Sequence, residues 1–114
     1  MTFQPESFDP EEVQARVDEA IENNHVVLFM KGNRLMPQCG YSAKALEHIS
    51  QYVDEFETID VLPALPHFRE ALNEKSGWET IPQTFVDGEF IGGSDILEEL
   101  DERDELEATL TGAN

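Results

Sequence analysis

Apolar residues first recur at helical spacing, with Val13, Val17, Ala20 and Ile21 falling on one face. Asp9, Pro10 and Glu12 supply an N-cap, a first helical residue and a capping-box partner, and the pattern ends near Asn23 or Asn24. The run HVVLFMK, His25 to Lys31, has a different grain. It is too continuously apolar for a surface strand and too short for a buried helix, which predicts a central strand buried on both faces. From about Gly40 to Val53 helical spacing returns, with Ala43, Leu46, Ile49 and Val53 inward. FETIDV, Phe56 to Val61, alternates and predicts a second strand; a strand, helix, strand unit crosses right-handed and makes the two strands parallel.

After Pro63 and Pro66 a third helix, roughly His67 to Ser76, stops at Gly77, a C′ residue. TFVDGEFI, Thr84 to Ile91, reads as two short strands around Asp87-Gly88, a type I′ hairpin signal. Gly92-Gly93 breaks the second strand, and Ser94 is expected to cap a helical stretch through Leu100, with another turn or two to Leu110. No repeat or linker divides the chain. This element order predicts an α/β, thioredoxin-like fold: a four-stranded mixed sheet with helices on both faces. One domain is expected over 9–110, between flexible ends at 1–8 and 111–114.

Charge changes the picture more than size does. Against 25 acidic residues stand 7 basic ones, a formal net charge of −18. Nucleic acid and membrane surfaces are excluded as partners, since both need clustered Lys and Arg. The ordinary apolar content predicts a folded domain with an acidic surface, suited to a high-salt cytoplasm where dense carboxylates keep a protein soluble. The N-terminus carries no signal pattern and no apolar run approaches a membrane span, so a soluble, cytoplasmic location is expected. The acids are also unevenly placed. From Asn23 to Leu46 no Asp or Glu occurs, where about five would fall by chance, and Lys31, Arg34 and Lys44 lie inside that window. A buried strand and an apolar helix face account for about half of it. The loop from Gly32 to Gln38 is left unexplained.

That window contains PQCGYS, Pro37 to Ser42, with the single cysteine of the chain. A lone cysteine is most often a small buried hydrophobe. Pro37, Gln38, Gly40 and Ser42 are poor neighbours for a core position, however, and Gly40 permits close approach of a ligand. In the predicted fold Cys39 follows the first strand and opens the next helix, where α/β sheets place ligands and where unpaired N–H groups and the helix dipole favour a thiolate. Lys31, at about 6 Å, would add roughly 3 kcal/mol at an effective dielectric near 20, with helix N–H groups dominating in molar salt. A partly exposed, reactive thiolate is expected.

Two further segments carry weaker signals. Ile81-Pro82 precedes a strand, where a cis bond can expose backbone groups to an extended ligand, although a trans proline starting a strand is the commoner reading. In GGSD, Gly92 and Gly93 allow close backbone approach and Ser94 and Asp95 open a helix whose N-terminus suits a carboxylate, or simply an N-cap. His48 lies about 180° round the helix from Cys39, so the two form no catalytic pair. His25, His48 and His67 read as structural or surface residues, and Trp78 as a packing residue.

Together, MKGNRLMPQCGYS (Met30 to Ser42), SGWETIPQTFVDGEFIGGSDI (Ser76 to Ile96) and Arg69 resemble a monothiol glutaredoxin over about Asp9 to Leu110. The resemblance implies that Cys39 is the active-site thiol, flanked by Gly40 and Tyr41. It implies that Lys31, Arg69 and Asp95 hold the carboxylates and amine of a glutathione-like thiol, with backbone bonds at Ile81 and at Ser94 beside Gly93, and with Pro82 in cis. It further implies a 2Fe-2S cluster shared by a homodimer, monomeric when cluster-free: four thiolates are needed, and each chain supplies one together with one small thiol. Tyr41 stands for a usual Phe, Arg34 where Pro is frequent, and Glu79 where Trp-Pro-Thr is usual. Arg34 would add positive charge beside the site and Glu79 negative charge near the ligand groove, leaving glutathione and γ-glutamylcysteine both open. A carrier serving iron-sulfur recipients, with a BolA-type partner, leads the readings. An oxidoreductase with Cys39 as nucleophile and an external resolving thiol comes second. A third, an acidic interaction module over Asp95 to Leu110, has only its charge, which a solvated face explains.

Overall fold

Asp9 caps α1 (Pro10–Asn23) with the reciprocal pair its neighbours predict: the Asp9 carboxylate accepts from the Glu12 N–H at 2.8 Å, and the Glu12 carboxylate accepts from the Asp9 N–H at 3.2 Å. The structure, a computed structural model, describes residues 9–112; the ends at 1–8 and 113–114, expected to be flexible, lie outside the described residues. Next along the chain come β1 (Val26–Met30), α2 (Gly40–Ser50), β2 (Glu57–Asp60), α3 (Leu65–Ser76), β3 (Gln83–Val86), β4 (Glu89–Gly92), α4 (Ser94–Glu102) and α5 (Leu106–Thr111). The sheet order is β2-β1-β3-β4, with β2 parallel to β1 and the other neighbours antiparallel. This is the thioredoxin-like architecture, a four-stranded mixed sheet with helices on both faces.

β1 is buried at every position because it has a strand on each side and helices above and below. Val27 and Phe29 face one cluster with Val13, Val17, Phe68 and Leu72 of α1 and α3, and Phe29 meets Phe85 edge-on at 5.8 Å. Val26, Leu28 and Met30 face the other, with Ala45, Ile49, Leu97, Leu106 and Leu110 of α2, α4 and α5. The β3–β4 turn has positive φ at Asp87 (51°) and Gly88 (85°), as a type I′ hairpin requires. Among the described residues no helix is long and apolar enough to cross a membrane.

Several local expectations are corrected. α2 buries Ser42, Ala45 and Ile49, while Ala43 is only half-buried, because the Ser42 hydroxyl turns inward to accept the Lys31 N–H at 3.0 Å. The rest of the expected face holds: Ile49 is fully buried, and Leu46 and Val53 pack half-buried against the same cluster. α3 starts two residues early, at Leu65, with Pro66 in its first turn. Gly93, not Ser94, is the N-cap residue of α4; Ser94 is already helical and buried, and no side chain caps the helix. α5 runs past the expected boundary at 110 to Thr111 and ends at Gly112 in the left-handed region.

Candidate functional site

Parallel pairing brings the C-terminal ends of β1 and β2 together, and the loop leaving β1 is built on that junction. The Asp60 carboxylate accepts from the N–H groups of both Gly32 and Leu62 at 3.0 Å. Gly32, at φ +89°, bridges back to Pro37, and the Gln38 N–H donates to the Lys31 carbonyl at 2.9 Å. A chain that leaves the strand and returns to Lys31, the residue just after it, sets Cys39 at the N-cap of α2, in extended conformation (φ −154°, ψ 137°).

The sulfur is half-buried. The Cys39 side chain makes no N-cap hydrogen bond. Burial pushes the Cys39 thiol up, but the N–H groups of Ser42 and Tyr41, the Ser42 hydroxyl and the Lys31 charge together outweigh burial and hold it below the ordinary cysteine value. Lys31 is the weakest of these influences. Helix-terminal hydrogen bonding therefore dominates, as short-range donors should in a screened medium. Ser42 has two tasks: its lone pair satisfies the end of β1, and its hydroxyl hydrogen is free for the sulfur.

Beside the thiol runs a groove of about 700 Å³, within the usual range for small-molecule sites. Lys31, Tyr41, Arg69, Ile81, Pro82, Gly93, Ser94 and Asp95 all line it. Cys39 and Gly40 are not among its walls, but they sit between Lys31 and Tyr41, which are. A Cβ added at Gly40 would meet nothing, so the chain itself does not require glycine there and leaves room for a ligand. The Ile81-Pro82 bond is cis. The close approach expected of the glycines is made by the chain itself: a Cβ on Gly93 would lie 3.0 Å from the Pro82 carbonyl, and one on Gly92 would strike Ile96.

Sequence reasoning missed Trp78, Thr80, Phe90, Ile91 and Ile96, which complete the walls. Trp78 is mostly exposed rather than packed. Buried Gln83 fixes this wall by donating from Nε2 to the carbonyls of Trp78 (2.8 Å) and Thr80 (3.0 Å). An aromatic residue in the loop shortly before Pro82 and β3 was the available signal.

Two charges expected around the site are held by other partners. Arg34 folds away from the thiol: its guanidinium lies 4.2 Å from the Phe56 ring centre and donates to the Phe56 carbonyl, at the start of β2 and the opposite end of the parallel pair. Glu79 lies near the groove, as expected, between its walls Trp78 and Thr80, but does not line it; its carboxylate accepts from the Asn73 side chain of α3 at 3.3 Å. His48 faces Asp101 of α4 at 3.6 Å, and His25 pairs with Asp87 at 2.6 Å. Among the described residues no group of three or more His, Cys, Asp or Glu could hold a metal ion. One chain therefore offers iron a single thiolate.

The glutaredoxin family model matches residues 26–91. A ycf64-like monothiol glutaredoxin of Synechocystis is 46% identical over 99 residues, covering 87% of this chain and 92% of the relative. A probable monothiol glutaredoxin of Legionella pneumophila is 46% identical over 87 residues, covering 76% of this chain and 97% of its own. The solution structure of reduced poplar apo GrxS14 superposes with a TM-score of 0.77 at 35% identity, covering 90% of this chain and 94% of that one.

Proposed function

We propose, for a chain that belongs to the glutaredoxin family and to its monothiol branch, that it binds and hands on a 2Fe-2S cluster in the cytoplasm, using Cys39 and a bound small thiol. The observation that carries this reading is one stabilised, half-buried thiolate beside a groove able to take a small molecule, with no second ligand group among the described residues. A cluster needs four thiolates. Two chains and two groove-bound thiols supply them, and an assembly in which half the ligands are exchangeable can release its cargo. The donor set fits the role: thiolate suits iron, and the groove holds Lys31 and Arg69 for carboxylates and Asp95 for an amine, the ends of glutathione or γ-glutamylcysteine. Iron-sulfur recipient proteins are the proposed partners, with a BolA-type protein as a further one.

The same geometry favours a second reading on one observation, the lowered thiol pKa. Cys39 attacks a mixed disulfide, the leaving thiol departs, and a second small thiol resolves the adduct and restores the thiolate. Anaerobic reconstitution with iron, sulfide and glutathione separates the two. A brown dimer that Cys39→Ser cannot form supports the carrier. A colourless monomer that still reduces mixed disulfides supports the oxidoreductase and overturns it.

A further inference from the structure

Gln83 is an unexpected residue for the place it fills. It opens β3, a strand buried at every position, pairs in register with Phe29 of the central strand and is only 1% exposed. A buried amide normally has both its nitrogen and its oxygen bonded. Here Nε2 donates to the carbonyls of Trp78 and Thr80, while Oε1 finds no partner among the described residues. The amide cannot be turned round, because its oxygen would then face two carbonyl oxygens. An unpaired buried acceptor is a standing cost that an apolar side chain would avoid. What offsets it is the hold on the loop that the nitrogen reaches.

That loop, 77–81, has no helix or strand of its own, yet it supplies Trp78, Thr80 and Ile81 to the groove. Its Trp78 end is also held from α3, where the Ser76 hydroxyl accepts from the Trp78 N–H at 3.0 Å. At the other end, Gln83 is the one hydrogen-bond partner of Thr80 among the described residues. A peptide unit is planar, and across a trans bond the N–H points opposite to the C=O. The Thr80–Ile81 bond is trans. Drawing the Thr80 carbonyl inward therefore turns the Ile81 N–H away from the buried amide, at a residue that lines the groove. That N–H has no acceptor among the described residues. It is available to a ligand.

We propose that Gln83 is a positioning residue for the small thiol: it fixes the Thr80–Ile81 peptide so that the Ile81 N–H meets a carbonyl or carboxylate oxygen of the bound molecule already oriented. A loop left free would have to be ordered by the ligand, at a cost in affinity. Gln83 does not line the groove and acts only through Thr80 and Ile81. The inference rests on the small-thiol part of the proposed function.

The test uses the full chain, cluster-free and isotope-labelled, titrated with reduced glutathione and separately with γ-glutamylcysteine. In the wild type the Ile81 amide proton should move downfield as the groove fills. Gln83→Met keeps the side-chain length and removes both donors. It should weaken binding about tenfold, the loss of about one hydrogen bond, and abolish the Ile81 shift while keeping those at Ser94 and Asp95. The pH profile of Cys39 alkylation should stay as in the wild type, because the groups that stabilise the thiolate lie on α2 and at Lys31. Without any ligand, the fluorescence anisotropy of Trp78, the single tryptophan, should fall in the variant as the loop loosens. A wild type that binds neither thiol overturns the small-thiol reading and the inference with it. Binding that leaves the Ile81 amide unmoved, or that Gln83→Met retains within twofold, overturns the inference alone. A weakened variant whose Cys39 profile also moves assigns Gln83 a general structural role and overturns it too. If Gln83→Met does not fold, the wild-type Ile81 shift and the isosteric Gln83→Glu, whose oxygens face both carbonyls, decide by the same criteria.

Discussion

Gly32→Ala should destabilise this protein far more than a surface methyl ordinarily does. At φ +89° an L-residue costs roughly 1–2 kcal/mol. The added Cβ would also stand 2.5 Å from the Met36 carbonyl oxygen and 2.6 Å from the Gln38 nitrogen, both backbone atoms that no rotamer change can move aside. Relief requires the loop to open, which sacrifices the Gln38 N–H to Lys31 carbonyl bond and the Gly32 N–H to Asp60 bond, each about 1 kcal/mol. The sum is about 3–4 kcal/mol, or a fall in Tm of about 10–20 °C for a domain of this size. Urea unfolding gives the first number, and iodoacetamide alkylation of Cys39 reports whether the loop still seats the thiol. A loss below about 0.5 kcal/mol with unaltered alkylation would show that the return of the loop to Lys31 is not what places Cys39.

Other expected outcomes follow from single contacts. Ser42→Ala leaves the Lys31 N–H without its acceptor in the core, so stability should drop by about 1–3 kcal/mol, and the alkylation plateau of Cys39 should move to higher pH; an unmoved plateau would remove Ser42 from thiolate stabilisation. The Asp87 carboxylate holds His25 above its ordinary pKa, against a smaller opposing effect of burial, with the Leu110 and Thr111 carbonyls adding to it. A raised folded pKa means the pair's stabilisation is complete below about pH 6.5 and is lost as pH rises through the folded value. Both side chains are well exposed, so the effect is under about 1 kcal/mol: the Tm gap between wild type and Asp87→Asn should be widest near pH 6 and close by pH 9. Lys31→Ala and Arg69→Ala should each weaken glutathione binding by about tenfold or more by calorimetry, the loss of one charged hydrogen bond of about 1.5 kcal/mol.

Much of the fold is legible in the residues because its strongest constraints are local. The run Val26–Met30 has no polar position to offer solvent, and Asp87-Gly88 between alternating segments leaves little choice of turn. Cys39 at a helix start, Pro82 before a strand and the GGSD exit are likewise readable, and the topology brings eight of the ten expected site residues onto one groove wall. What escapes is tertiary. Ser42 reads as polar surface until Lys31 is seen to need its hydroxyl. Arg34 reads as charge beside the thiol because nothing local reveals Phe56, twenty-two residues on, as its partner. Trp78 and Ile96 become groove walls only through Gln83 and the β4–α4 junction, which periodicity cannot see.

Native mass spectrometry of the protein reconstituted anaerobically with iron, sulfide and glutathione tests the shared-ligand reading most directly. Four thiolates from two chains predict one species of two chains, two irons, two sulfides and two small thiols, absent in Cys39→Ser. A cluster-bearing species that retains no small thiol, or one that forms on a single chain, would contradict it.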